Sequence, residues 1–121
     1  MSDIRKALQD RFLCMLGLAK RAGKVIAGAP PIFTAMHKGN PPLLVIVAAD
    51  VSAPSQKKLY TQCEFYRVPL LPTAYTKEAI SHAIGKDAPV AAVAITDRNF
   101  AGELQKLSGK DVSEPVGNEE K

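Results

Sequence analysis

A 121-residue chain that is 46% hydrophobic and 23% charged has enough apolar content for one compact core, which excludes wholesale disorder. Its formal charge of +4 is uneven: residues 1–107 hold 14 Lys/Arg against 8 Asp/Glu, whereas residues 108–121 hold 2 against 4. The body is therefore basic and draws phosphates or other anionic surfaces through its summed field.

Ser2 or Asp3 suits a helix N-cap, with Asp3 favourable at the positive end of the helix dipole. Ile4, Leu8, Phe12, Met15, Leu16 and Ala19 then recur at helical spacing, and Gly23 follows a basic last turn of Lys20 and Arg21 as a stop signal. Val25 and Ile26 form a short strand that ends at Gly28. A second helix begins near Pro30, with Ile32, Ala35 and Met36 inward, and closes at Lys38-Gly39-Asn40. Leu43 to Ala49 is apolar on both faces, the pattern of a central buried strand, and Asp50 marks its end.

Ser52 and Pro54 open a third helix, with Leu59, Cys63 and Tyr66 inward and Lys57 and Lys58 outward. Val68-Pro69-Leu70-Leu71 reads as a short strand, and Pro69 puts it at a strand start or a sheet edge. Thr76 caps a fourth helix, Tyr75 and Ile80 hold the positions of a hydrophobic staple, Ala83 and Ile84 extend the apolar face, and Gly85 ends it. Val90 to Ile95 is another apolar strand. Thr96-Asp97 caps a last helix bearing Phe100, Leu104 and Leu107. From Ser108 the sequence turns polar and acidic. Helix-strand alternation of this kind predicts an α/β fold: a single domain over residues 1–107, its sheet covered by helices on both faces, with 108–121 as a flexible polar tail.

The chemistry of catalysis is mostly missing. Leu43 to Ala49 is too short to span a membrane and no signal peptide is visible, so the expectation is a cytoplasmic protein without a membrane partner. Cys14 and Cys63 show no C-x-x-C or paired framework and lie in apolar-patterned segments, which predicts two buried, reduced, inert thiols. His37 and His82 fall on different helices with no second ligand at i+3 or i+4, so no metal site and no cofactor is expected. Asp50 and Asp97 follow buried strands. Asp97 is placed to cap the last helix, and Asp50 to bond local amides before the third. The glycines spell neither G-x-G-x-x-G nor a P-loop.

The segment from Leu16 to Phe33, LGLAKRAGKVIAGAPPIF, clusters Lys20, Arg21 and Lys24 before the start of the second helix. Lys20 and Arg21 suit a helix C-terminus, but Lys24, beyond Gly23, is not explained by the helix dipole. A helix N-terminus beside a basic rim offers amides and positive potential to a phosphate.

LGLAKRAGKVIAG (16–28), LVIVAADVS (44–52), QKKLYTQCEFYRVP (56–69), AIGK (83–86) and AVAITDRNFAGEL (92–104) occur together and in order. This set resembles the bacterial YlxQ proteins, in the superfamily of ribosomal proteins L7Ae and L30e that bind kink-turn RNA. The resemblance runs from about Phe12 to Leu107. It implies a three-layer α/β/α sandwich around a mixed four-stranded sheet, RNA binding linked to ribosomes or translation, and no catalysis. The implied partners are structured, ribosomal RNA and a ribosomal or translation-factor protein, with the chain itself a monomer.

The family's RNA-binding motif, Gly-x-Asn-Glu-x-x-Lys, opens the second helix shortly after a Gly-Lys pair. Gly23 and Lys24 match the pair, and Gly28 the motif glycine, with Ala29 next to it. Then the sequence departs: Pro30 stands where Asn belongs, Pro31 where Glu belongs and Thr34 where Lys belongs. Proline has neither an N–H nor a polar side chain. Because base contacts specify and phosphate contacts position, the resemblance implies mainly phosphate chemistry here, from Lys20, Arg21, Lys24 and the amides near Gly28. A second RNA-facing loop, Leu71 to Lys77, contributes Ala74, Tyr75 and Lys77, with Tyr75 also accounted for by the staple. Lys57, Lys58, Lys86 and Arg98 extend the basic surface, each readable as an ordinary solvated charge. The competing expectation is a protein-interaction module that kept the fold and lost RNA recognition.

Overall fold

The computed structural model describes residues 2–108, with side chains described from Arg11 onward. The cap expected at Ser2 or Asp3, the apolar positions Ile4 and Leu8, and the tail beyond Ser108 lie outside the described side chains. Among the described residues the elements alternate as the sequence predicts: α1 (Ser2–Arg21), β1 (Val25–Ala27), α2 (Ala29–His37), β2 (Leu44–Val47), α3 (Ala53–Tyr66), β3 (Leu70–Pro72), α4 (Lys77–Ala83), β4 (Ala92–Ile95) and α5 (Arg98–Ser108). Ser108 itself closes α5, its hydroxyl donating to the Gln105 carbonyl at 2.8 Å, so helix extends one residue past the expected boundary.

Polar side chains set most of the helix starts. Ser52 Oγ accepts from the Ser55 amide at 3.3 Å, Thr76 Oγ1 from Ala79 at 3.0 Å, and Asp97 Oδ2 from Phe100 at 3.0 Å. Each satisfies an amide that the first helical turn leaves without a partner. α2 is the exception: Gly28 precedes it without any side-chain cap, and Pro30 and Pro31 occupy its first turn.

The sheet runs β1-β4-β2-β3. β4 is antiparallel to both its neighbours, pairing Ile26 with Ala94 and Val45 with Ala94, whereas β2 and β3 are parallel. β1, β2 and β3 therefore share one direction, and their C-terminal ends meet at one end of the sheet. β3 starts directly after Pro69 and lies at the edge of the sheet, so both of the places that proline allowed are taken up.

Alternate side chains of a strand point to opposite faces. Leu44, Ile46, Leu71, Val93 and Ile95 pack with Phe12, Leu16, Ala19, Ile80, Ala101 and Leu104 beneath α1, α4 and α5. Val45, Val47, Leu70, Ala92 and Ala94 pack with Ile32, Met36, Leu59 and Cys63 beneath α2 and α3. The result is the α/β/α sandwich with a mixed four-stranded sheet. At Gly17 an added Cβ would lie 2.9 Å from the Ala83 carbonyl oxygen, so a residue without a side chain lets α1 cross α4 this closely.

Candidate nucleic-acid interface

At the C-terminal ends of β1, β2 and β3, backbone hydrogen bonds tie distant segments together. The Gly28 amide donates to Ala92 O at 2.9 Å, the Ala48 amide to Ala91 O at 3.0 Å, and the Thr73 amide to Val47 O at 3.1 Å. This brings the start of α2 and the Thr73–Thr76 loop to the same end of the sheet. Gly28 has φ +95°, in the region that side chains avoid, so the turn into α2 depends on glycine there.

The start of α2 has few donors. Of the four amides that a helix N-terminus leaves unbonded, Gly28 already donates to Ala92, and Pro30 and Pro31 have none. The Ile32 amide returns to Gly28 O at 3.3 Å. That leaves the Ala29 amide, which no backbone acceptor outside the helix takes up among the described residues. Pro30, Pro31 and Thr34 are exposed, so this end presents two pyrrolidine rings and a hydroxyl.

The 73–77 loop is firmly built. Thr73 Oγ1 donates to Val47 O at 2.9 Å and accepts from the Tyr75 amide at 3.3 Å, and the Ala49 amide donates to Tyr75 O at 2.7 Å. The Tyr75 ring stacks on Phe12, centroids 5.3 Å apart, and packs against the cluster that includes Ile80, as a hydrophobic staple does. Ala74 is the exposed tip, and Lys77 is half-buried at the start of α4. Asp50 differs from expectation. Its Oδ1 accepts from the Lys77 amide at 2.7 Å, 27 residues away, so it caps α4 and holds the loop, while Ser52 alone caps α3.

The basic cluster of Lys20, Arg21, Gly23 and Lys24 lies at the other end of the sheet. Lys24 O accepts from the Thr96 amide at 2.9 Å, and the Leu43 amide donates to Ile95 O at 2.8 Å close by. The three residues of β1 separate this end from Gly28, roughly 10 Å at about 3.3 Å per residue. Lys20 and Arg21 rim an open groove of about 700 Å³ between α1 and α4, lined also by Leu13, Cys14, Leu18 and His82. Neighbours in sequence here are not neighbours on the surface.

One sequence expectation fails at α1. Cys14 is exposed, because it sits two residues from Phe12, on the far side of a helix whose inner stripe is Phe12, Leu16 and Ala19. Cys63 is buried as expected, and burial pushes its thiol from 9.0 up to about 12. His37 and His82 are exposed on different helices, and among the described residues no group of three His, Cys, Asp or Glu could hold a metal ion.

Sequence reasoning missed a seam of rings between α2 and α3. Lys58 Nζ lies 5.0 Å over the Phe33 ring, His37 meets Tyr66 at 5.8 Å, and Phe65 meets Tyr66 edge-on at 4.9 Å. The available signal was Lys58 and Phe65 seven residues apart on one helical face.

The fold and its glycine turn define a class: the chain belongs to the ribosomal protein L7Ae/L30e/S12e/Gadd45 family, whose profile matches residues 11–105. Within it, the chain is 34% identical over 93 residues to the RNA-binding protein YlxQ of Bacillus subtilis (strain 168), covering 77% of this chain and 90% of that one. It is 32% identical to the RNA-binding protein YlxQ of Enterococcus faecium, covering 82% and 92%. Among solved structures, a Bacillus halodurans C protein of unknown function superposes with TM-score 0.73 at 28% identity, covering 82% of this chain and 97% of its own. A Giardia lamblia 15.5kD RNA binding protein shares the fold, with TM-score 0.66 at 22% identity over 85% and 86% of the two chains. No helix among the described residues is long and apolar enough to cross a membrane.

Proposed function

We propose that this protein binds structured RNA at the sheet end formed by Gly28, the first turn of α2 and the Thr73–Lys77 loop. The observation that carries the reading is that Gly28 and Thr73, distant in sequence, are held at one end of the sheet by the Gly28–Ala92 and Thr73–Val47 hydrogen bonds. The support from relatives is that two YlxQ proteins of about a third identity are RNA-binding proteins. Catalysis forms no part of the reading. The protein acts as a monomer in the cytoplasm, and its RNA is ribosomal.

Pro30 and Pro31 leave this end without the Asn and Glu that the family resemblance would use to read sheared G·A pairs. The contact is therefore made to phosphate and sugar, by the Ala29 amide and the Lys77 ammonium, with the prolines and Ala74 packing against the backbone. Lys20, Arg21 and Lys24 act from the far end through the field rather than by contact.

Mobility shifts with a ribosomal kink-turn, and with the same RNA after its G·A pairs are changed, test this. The wild-type protein should bind both within about threefold of each other. A Pro30→Asn, Pro31→Glu, Thr34→Lys variant should gain at least tenfold in preference for the intact kink-turn, the scale of one restored base contact. A wild-type preference above tenfold overturns the phosphate reading. Absence of any shift at low salt leaves the protein-interaction module, which the proline-blocked helix start favours.

A further inference from the structure

We infer that the outer face of α2 and α3 is a second RNA contact, taking a single-stranded segment that runs off the structured element. The inference rests on the RNA reading above but uses a different surface. Phe65 is 75% exposed, a large ring that rests edge-on against Tyr66. Tyr66 in turn meets His37, and Phe33 lies under Lys58, so a run of three rings and a cation over a fourth line the seam. The charges of α2, α3 and their caps are Lys38, Lys57, Lys58 and Arg67 against Glu64 alone, all exposed. No Leu, Ile, Val or Met is exposed on either helix. A cationic face with open aromatic rings and without aliphatic anchors complements a polyanion whose bases stack, which is how single strands are held without sequence preference.

Placement agrees with this. Both helices start at the sheet end that carries Gly28. Lys57 and Lys58 lie in the second turn of α3. Phe65 is 12 residues beyond Ala53, about 18 Å along the axis at 1.5 Å per residue. A strand leaving the Gly28 end over α3 meets the two lysines first and the open ring next. Phe65 then stacks a base, and Lys57, Lys58 and Arg67 neutralise the phosphates on either side.

The test is fluorescence anisotropy with two ribosomal RNA fragments that share a structured core, one ending flush and one carrying a short single-stranded uridine extension. The extension should raise wild-type affinity about tenfold. Phe65→Ala should remove that increment while leaving the flush RNA within twofold and the melting temperature unchanged, since the ring is mostly in water. Phe65→Trp should keep the increment or enlarge it. Lys57→Gln with Lys58→Gln should reduce it and weaken its salt dependence. Equal binding of both RNAs by the wild type overturns this inference and leaves the Gly28 reading standing. Binding of neither RNA overturns both. An increment that survives Phe65→Ala, with that variant instead losing a purified ribosomal protein partner, overturns it in favour of a protein contact.

Discussion

Cys63 lies 2% exposed on α3, among the side chains that seal the sheet, and its raised thiol follows from that burial alone. Cys14 is the same residue type on an open groove. Thiolate is the reactive form and exposure gives access, so native protein treated with a maleimide should label once, at Cys14, and twice only after unfolding. The Cys63 shift also has a sign. The folded state holds a proton that the unfolded chain releases above about pH 9, so this contribution to stability is full below pH 9 and is lost as pH rises from about 9 to about 12. Urea midpoints across that range should fall more in the wild type than in Cys63→Ala. Gln62 gives a second case. Its Oε1 is buried without a hydrogen-bond partner, and a buried acceptor left unbonded costs about 1–3 kcal/mol. Gln62→Met keeps the shape and drops the orphan acceptor, so its unfolding free energy should match or exceed the wild type.

Among the elements, α4 is short, and two side chains hold its start. Thr76 caps Ala79 from the position just before the helix, whereas Asp50 reaches the Lys77 amide from beyond the end of β2. A charge-assisted bond that joins two segments should matter more than an exposed local cap. Asp50→Ala is expected to cost about 1–2 kcal/mol and Ser52→Ala under about 1 kcal/mol, measured by denaturant unfolding. Because Asp50 also fixes the Thr73–Lys77 loop, its loss should weaken RNA binding beyond the stability change. α2 shows the opposite strategy. Its prolines preset φ for a helix start but remove donors, so the element is well started and offers an anion little beyond the Ala29 amide.

Across the whole molecule, the basic residues are spread over both ends of the sheet and over the α2–α3 face. The logarithm of affinity should fall linearly with the logarithm of salt, by about 0.9 for each duplex phosphate neutralised. Lys77→Gln should lower that slope by about one contact, since Lys77 starts α4 beside the proposed site. Lys24→Gln, at the far end beside Thr96, should leave the slope unchanged and weaken every RNA by a similar small factor. A full unit lost from the slope in Lys24→Gln would mean that the RNA wraps round the edge of the sheet.

Local sequence sufficed for the alternation of helices and strands, the buried character of β2 and β4, and the caps at Thr76 and Asp97, and it left β3 at a strand start or a sheet edge. Each of these is written in local periodicity or in the chemistry of one residue, and its family motifs pointed to the sandwich. Cys14 was expected to be buried from its apolar neighbours, and the structure shows it exposed, on the side of α1 away from Phe12, Leu16 and Ala19. That β4 inserts between β1 and β2 came from the folded chain alone, because pairing between strands tens of residues apart leaves no local trace. That insertion sets which loops share an end. The length of β1 separates Lys24 from Gly28, and the parallel pairing of β2 with β3 brings Asp50 to Lys77. Packing on one face of the sheet sets α2 beside α3, where Lys58 covers Phe33 and Phe65 stands open to solvent.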